Sequence, residues 1–312
     1  MSKYYYLIAG LPNISFDDSK LPYSVSEFKE ELVNHLTKDD ARLLEFFSLQ
    51  IDNKNLLEQI QNPDYDPEEG GRITYDELNV LFEGLKNEKA KKLNEDGEEE
   101  EYDEENPPKI KPFKNKNKRF PAYFETFARA YFESLENEEE TVVPWEDRLS
   151  ALYYEYAMKS KNAFIASWFE LNLNISNIFT ALTCRKYKLD RATYIVGDTW
   201  TSNQLRTSNA RDFELSESLE YLPSVARIAE EADLLQRERK TDFLKWEWID
   251  DQIFVKALDF ESVLAYFLKL EILERWTNLD KATGEKTFRQ LVEAMKKGSE
   301  YTLEEFKRNN KK

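Results

Sequence analysis

The sequence predicts an all-α fold, and three observations carry that prediction. Apolar residues recur at three- and four-residue spacing along most of the 312 residues. Only 8 glycines and 10 prolines are present, too few turn residues for a many-stranded β protein. The stretch AYFLKLEILERW, Ala265 to Trp276, lies in a late helix with two apolar stripes. Phe260, Val263, Leu264, Phe267 and Leu270 form one, and Ala265, Leu268, Ile272, Trp276 and Leu279 form the other. A helix apolar on both sides packs against partners along both.

The elements follow in order. After the apolar start, Ser24 or Ser26 caps a helix through EFKEELVNHL, with Phe28, Leu32 and Leu36 at helical spacing and Val33 beside them. Early aspartates in KDDARLLEFFSLQIDNKNLLEQI suit the positive end of a helix dipole, so a second helix follows. A loop at 62–72 leads through Thr74 into YDELNVLFEGL. Order resumes at FPAYFETFARAYFESL, where Phe124, Phe127, Ala128 and Tyr131 keep the period. Pro144 suits a first helical turn, with Glu146 and Asp147 behind it. From there to about Lys186 the pattern is one long helix or two in series. FELNLNISNIF alternates like a strand, but its flanks are helical and hold no turn residues. IVGDTW is the least helical stretch, with a turn at Gly197. Further helices, punctuated at Pro223, lead to the two-striped helix, and a last pair follows Gly284.

One region breaks this regularity. Nine carboxylates fall in the eleven residues from Glu95 to Glu105, and KIKPFKNKNKR follows with six cations. Same-sign blocks repel internally and bury no area, so the run is read as a solvated loop. This divides the chain into an N-terminal helical region (1–93), the acidic and basic loop (94–118) and a second helical region (119–312).

Composition excludes several classes of function. The formal net charge is −17, which repels nucleic-acid phosphates and anionic headgroups. Cys184 is the sole cysteine, so no internal disulfide exists, and its apolar run FTALTC reads as a small buried thiol. His35 is the sole histidine, beside an apolar face, with no second histidine to complete a metal site. The apolar start is cut short at Gly10-Leu11-Pro12 and is no export signal. No run reaches the roughly 20 apolar residues of a membrane span. A cytoplasmic location is expected.

Motifs with chemistry are few. Counted from Asp66, DPEEGGRITYDE has an acid at positions 1, 3 and 12 and Gly71 at position 6, the outline of an EF-hand loop. Pro67 at position 2 and Gly70 at position 5 spoil it. Thr74 and Glu77 also form a capping box, in which each side chain bonds the other residue's amide, and that reading is preferred. No glycine-rich phosphate loop, nucleophile triad or cysteine-rich metal site occurs, so no enzymatic activity, metal or cofactor is expected.

At the C-terminal half the pattern resembles a known family. FESVLAYFLKLEILERW is similar to the late helix of the C-type, or d-type, coupling protein of V-type ATPases. That helix pattern has a tyrosine, a basic residue, a glutamate and an arginine, matched here by Tyr266, Lys269, Glu271 and Arg275. Where the family has a second glutamate this chain has Leu273, with Glu274 one place on. LNLNISNIFTALTCRKYKL resembles the family's long middle helix, with Asn177, Ile178, Arg185 and Lys186 at its marked positions. This likeness covers mainly 151–298, and the whole chain looks closer still to an uncharacterised bacterial family encoded among V-type ATPase genes.

The resemblance implies helical bundles in a funnel-like arrangement. It implies a non-catalytic coupling subunit that links the central stalk to the membrane rotor ring, peripheral to the inner face of the plasma membrane. Tyr266, Lys269, Glu271, Arg275 and Trp276 are then candidate partner contacts. Glu271 and Arg275 also stand in the favourable i,i+4 order for a plain surface ion pair. The alternative is a free-standing helical adaptor whose acidic loop recruits a basic partner.

Overall fold

In the computed structural model, residues 4–90, 119–137, 143–254, 256 and 259–279 are described, and every regular element among them is a helix. The first five are α1 (Tyr5–Gly10), α2 (Val25–His35), α3 (Lys38–Gln61), α4 (Tyr75–Ala90) and α5 (Ala122–Glu136). α6 (Trp145–Met158), α7 (Ala163–Tyr187), α8 (Arg191–Tyr194) and α9 (Trp200–Thr207) follow. α10 (Leu222–Ala229), α11 (Leu234–Ile253) and α12 (Phe260–Asn278) complete the series. The acidic and basic run and the helix pair expected after Gly284 lie outside the described residues.

The chain divides into two compact units, residues 1–37 with 242–312 and residues 38–241. The boundaries fall after Thr37 and inside α11 after Thr241.

The first unit joins the N-terminal segment to the second half of α11 and to α12. Ser24 caps α2 through a complete capping box, Glu27 N donating to Ser24 Oγ at 3.2 Å and Ser24 N to Glu27 Oε2 at 2.8 Å. Phe28 and Leu32, one helical turn apart, are fully buried, and α2 packs against α12. Val33 is exposed, as is His35 in the last turn. α12 is buried along both of its stripes: Phe260, Val263, Leu264, Phe267 and Leu270 on one side, Ala265, Leu268 and Ile272 on the other. Trp276 is partly buried and Leu279 exposed, so the second stripe fades at its C-terminal end.

The second unit is built around α7, which packs against α6, α8, α9 and α10. Its buried residues lie on every side, from Phe164 and Trp168 to Asn177 and Cys184. A helix with buried residues on every side has no single stripe, which is why 169–179 alternates and is nonetheless helical. Asn162 caps it, its Oδ1 accepting from Ile165 N at 3.1 Å, and this cap separates it from α6. Pro144 stands at the cap position of α6, one residue before the first turn. Pro223 opens α10 instead of ending a helix, as its fixed φ allows. Gly197 takes a positive φ of 77° at the expected turn.

α3 carries a polar face, Asp52, Asn55 and Gln59, that binds the loop after it. Asp52 Oδ1 accepts from Arg72 N at 2.7 Å and Ile73 N at 3.0 Å. Asn55 bonds the backbone of Glu68 in both directions, at 2.9 and 3.0 Å. Gln59 Nε2 donates to Tyr75 O at 3.0 Å. A Cβ on Gly71 would lie 2.7 Å from Asp52 Oδ1, so only glycine fits against this carboxylate.

Candidate functional site

Three of the residues singled out on α12, Lys269, Arg275 and Trp276, meet α11. Asp242, Trp246 and Asp250 recur every fourth residue and so share one side of α11. Lys269 Nζ pairs with the Asp250 carboxylate and sits 4.6 Å from the centre of the Trp246 ring. Asp242 is 2% exposed. The Arg275 guanidinium reaches its Oδ2, and Trp276 Nε1 donates to the same oxygen at 2.8 Å. A carboxylate withdrawn from water is tolerated only with such partners. The earlier acid of α11 meets the later residues of α12, so the two helices run antiparallel.

The N-terminal segment binds the same helix. Tyr23 stacks on Phe28 and donates its hydroxyl to Tyr266 Oη at 3.2 Å. Burial raises the Tyr266 pKa, and the bond from Tyr23 adds to the rise. Glu274 Oε1 accepts from Val25 N at 3.0 Å. Glu271 is partly buried and has no hydrogen bond or ion pair to a described residue. The protein crowding its carboxyl pushes its pKa up to about 7; Lys29 pulls it down and Glu274 pushes it further up.

All five candidate residues therefore lie in one unit, and four of them have partners inside it. The surface pair Glu271–Arg275 is not formed, because Arg275 turns to Asp242 on the neighbouring helix. Asp242 and Asp250 were not singled out in the sequence, although their four-residue spacing either side of Trp246 in TDFLKWEWID was visible. Tyr23 and Val25 left no such signal, being 243 and 249 residues from their partners.

The positions that carry the likeness on α7 also have structural work. Asn177 is 1% exposed and holds the turn after α8 from both ends of its amide. Its Oδ1 accepts from Val196 N at 2.9 Å, and its Nδ2 donates to Val196 O at 2.8 Å and Ser202 Oγ at 3.1 Å. Arg185 donates to Arg211 O and Ala210 O at 2.8 and 2.7 Å. Lys186 Nζ lies 5.5 Å from the centre of the Tyr187 ring.

The Thr74–Glu77 motif and Cys184 resolve as expected from their simpler readings. Thr74 and Glu77 form the capping box, Thr74 N donating to Glu77 Oε2 at 2.9 Å and Glu77 N to Thr74 Oγ1 at 3.3 Å. Glu77 Oε1 takes Arg119 at 3.1 Å, and Gly71 is explained by its approach to Asp52. Among the described residues no cluster of His, Cys, Asp and Glu could hold a metal ion. Cys184 is 2% exposed, and burial pushes its thiol pKa up, away from the reactive thiolate. No helix among the described residues is long and apolar enough to cross a membrane.

A family model described as a protein of unknown function, DUF2764, matches residues 1–104 and 98–299. No curated protein and no solved structure matches the chain.

Proposed function

The chain belongs to the DUF2764 family, and we propose that it is a non-catalytic coupling subunit of a V-type ATPase, joining the central stalk to the membrane rotor ring. The observation that carries this reading is the use made of the residues that bear the likeness. Asn177 and Arg185 on α7, and Tyr266, Lys269 and Arg275 on α12, all pin a neighbouring helix, segment or loop. A protein that passes torque needs helices that do not yield under load, and buried amides and ion pairs supply that stiffness. In this reading the α12 residues are supports, and the membrane is reached only through the rest of the complex.

Purification of the native complex through a tag on this chain tests the proposal. Stalk and ring subunits should accompany it, with ATP hydrolysis residing in those partners. Clean recovery of the chain alone, under conditions that keep the ATPase together, overturns the reading and favours a free-standing helical adaptor.

A further inference from the structure

Where α7 gives way to α8 and α9, the second unit leaves large side chains in water. Lys188 closes α7 in the left-handed region, with φ of 58°, and Leu189 N donates back to Cys184 O at 2.9 Å. Asp190 then caps α8, its Oδ1 accepting from Ala192 N at 3.0 Å. α8 packs on both α7 and α9, and Arg206 of α9 donates to Ile195 O at 2.8 Å. The end of α7, α8 and α9 therefore form one corner of the unit. Within it Cys184, Ile195 and Leu205 are buried, whereas Tyr187, Leu189, Tyr194 and Trp200 are 63, 47, 44 and 57% exposed.

The same stretch is basic in a chain whose net charge is −17. Arg185, Lys186, Lys188 and Arg191 stand against Asp190 alone, a net +3 over residues 185–191. Carried through α9 and the loop after it, to residue 214, the balance is still +2. Arg185 and Arg191 are held by that loop, donating to Arg211 O at 2.8 Å and Ser208 O at 2.6 Å. Lys186 and Lys188 are exposed. The two acids of the corner serve its own turns. Asp190 also accepts from Thr193 Oγ1 at 3.2 Å, and Asp198 accepts from Asn203 Nδ2 at 2.9 Å. Salt screens charge beyond about 8 Å at physiological strength, so this local excess decides what approaches the corner.

We propose that this corner is a peripheral contact for an anionic lipid surface, with Lys186 and Lys188 on headgroup phosphates and Tyr187, Leu189, Tyr194 and Trp200 seated among the headgroups. Tyrosine and tryptophan favour that depth, because each has an apolar body and a polar tip. Lysine keeps its charge on the phosphates while its stem covers apolar surface. A cluster of about four or more Lys and Arg beside such side chains is the pattern that binds acidic lipids. An acidic protein fits less well, since the buried parts of protein interfaces are depleted in lysine. The ATPase reading needs no direct lipid contact of this chain, so the inference goes beyond it and is tested apart from it.

Co-sedimentation of the full chain with vesicles tests this, using phosphatidylcholine with and without phosphatidylserine. The chain should sediment with the phosphatidylserine vesicles, less as salt rises, and not with phosphatidylcholine alone. Each lysine contributes roughly fivefold, so the double variant Lys186→Ala, Lys188→Ala should weaken binding by about tenfold or more. Lys186→Arg, Lys188→Arg should keep it, and Tyr187→Ser, Leu189→Ser should weaken it. Brominated lipid should quench tryptophan fluorescence in the wild type, and Trp200→Phe should lose most of that quenching. These side chains are exposed, so circular dichroism should show every variant folded. No sedimentation with phosphatidylserine vesicles, equal sedimentation with phosphatidylcholine, or no change in the double alanine variant overturns the proposal, as does quenching that survives Trp200→Phe. So does binding of a polyglutamate peptide, lost in the double alanine variant, where vesicle binding is absent: that result assigns the corner to an acidic protein. The vesicles contain no ATPase subunit, so failure here leaves the co-purification test of the ATPase reading untouched.

Discussion

The two units are held by polar contacts of very different reach. In the second, Asn177 bonds Val196 and Ser202, 19 and 25 residues away, and Asn174 Nδ2 bonds Tyr221 Oη, 47 residues away. In the first, Tyr23 meets Tyr266 across 243 residues and Val25 meets Glu274 across 249. Closing the longer loops costs more chain entropy, though only logarithmically in length. Contacts of that separation also raise contact order, which slows folding. The comparison teaches that α7 organises its surroundings locally, whereas α12 completes a unit that needs segments more than 240 residues apart to meet.

The largest effects should come from the two cores. Phe28 is fully buried in the first unit and Phe127 is 1% exposed in the second. Alanine at either position should cost about 3–5 kcal/mol. Calorimetry should show each variant lowering the transition of its own unit; a single transition lowered alike by both would break the division.

Trp276→Ala sharpens the first unit's side of the comparison. It removes a partly buried ring and a donor to the buried Asp242 carboxylate, so the isolated protein should lose roughly 2–4 kcal/mol. Urea unfolding of the isolated chain reads this directly. An unchanged midpoint would return Trp276 to the role of a partner contact.

Glu271 makes the first unit sensitive to pH. Its folded pKa is raised from 4.5 to about 7, so the folded state favours the protonated acid. Its stabilising contribution is complete below pH 4.5 and is lost as pH rises through about 7, up to about 3 kcal/mol across that window. Glu271→Gln should flatten this slope and raise stability at neutral pH. Thermal melts across the window check it, and an unchanged slope would place the titration elsewhere.

Asn177→Ala should destabilise the second unit by about 2 kcal/mol, because Val196 loses both of its amide partners. Hydrogen exchange should rise first in the turn that Asn177 holds, while α2 and α12 keep their protection. The smallest effect belongs to the cap of α4. Thr74→Ala should cost about 1 kcal/mol, and calcium should leave the melting of wild type and variant alike. A calcium-dependent rise abolished by Glu77→Gln would restore the EF-hand reading.

What the sequence determined by itself is whatever is encoded within a helical turn or two. The all-α class, a serine cap of α2 at Ser24 or Ser26, the capping box at Thr74 and Glu77 and the two-striped α12 were all legible, because apolar period and cap chemistry are local. The same local reading erred where a tertiary partner was stronger. Glu271 and Arg275 have ideal spacing for each other, yet Arg275 goes to Asp242, because that buried carboxylate needs its charge matched. Gly71 looked like a calcium-loop glycine and is required by the approach of Asp52 from α3. The apolar N-terminal segment gave no sign of its place beside α2, α11 and α12, where Tyr4 meets Phe260 and Phe16 meets Trp246. Only the tertiary structure could decide these, since a side chain's partner across hundreds of residues is chosen by packing and desolvation and leaves no spacing in the chain.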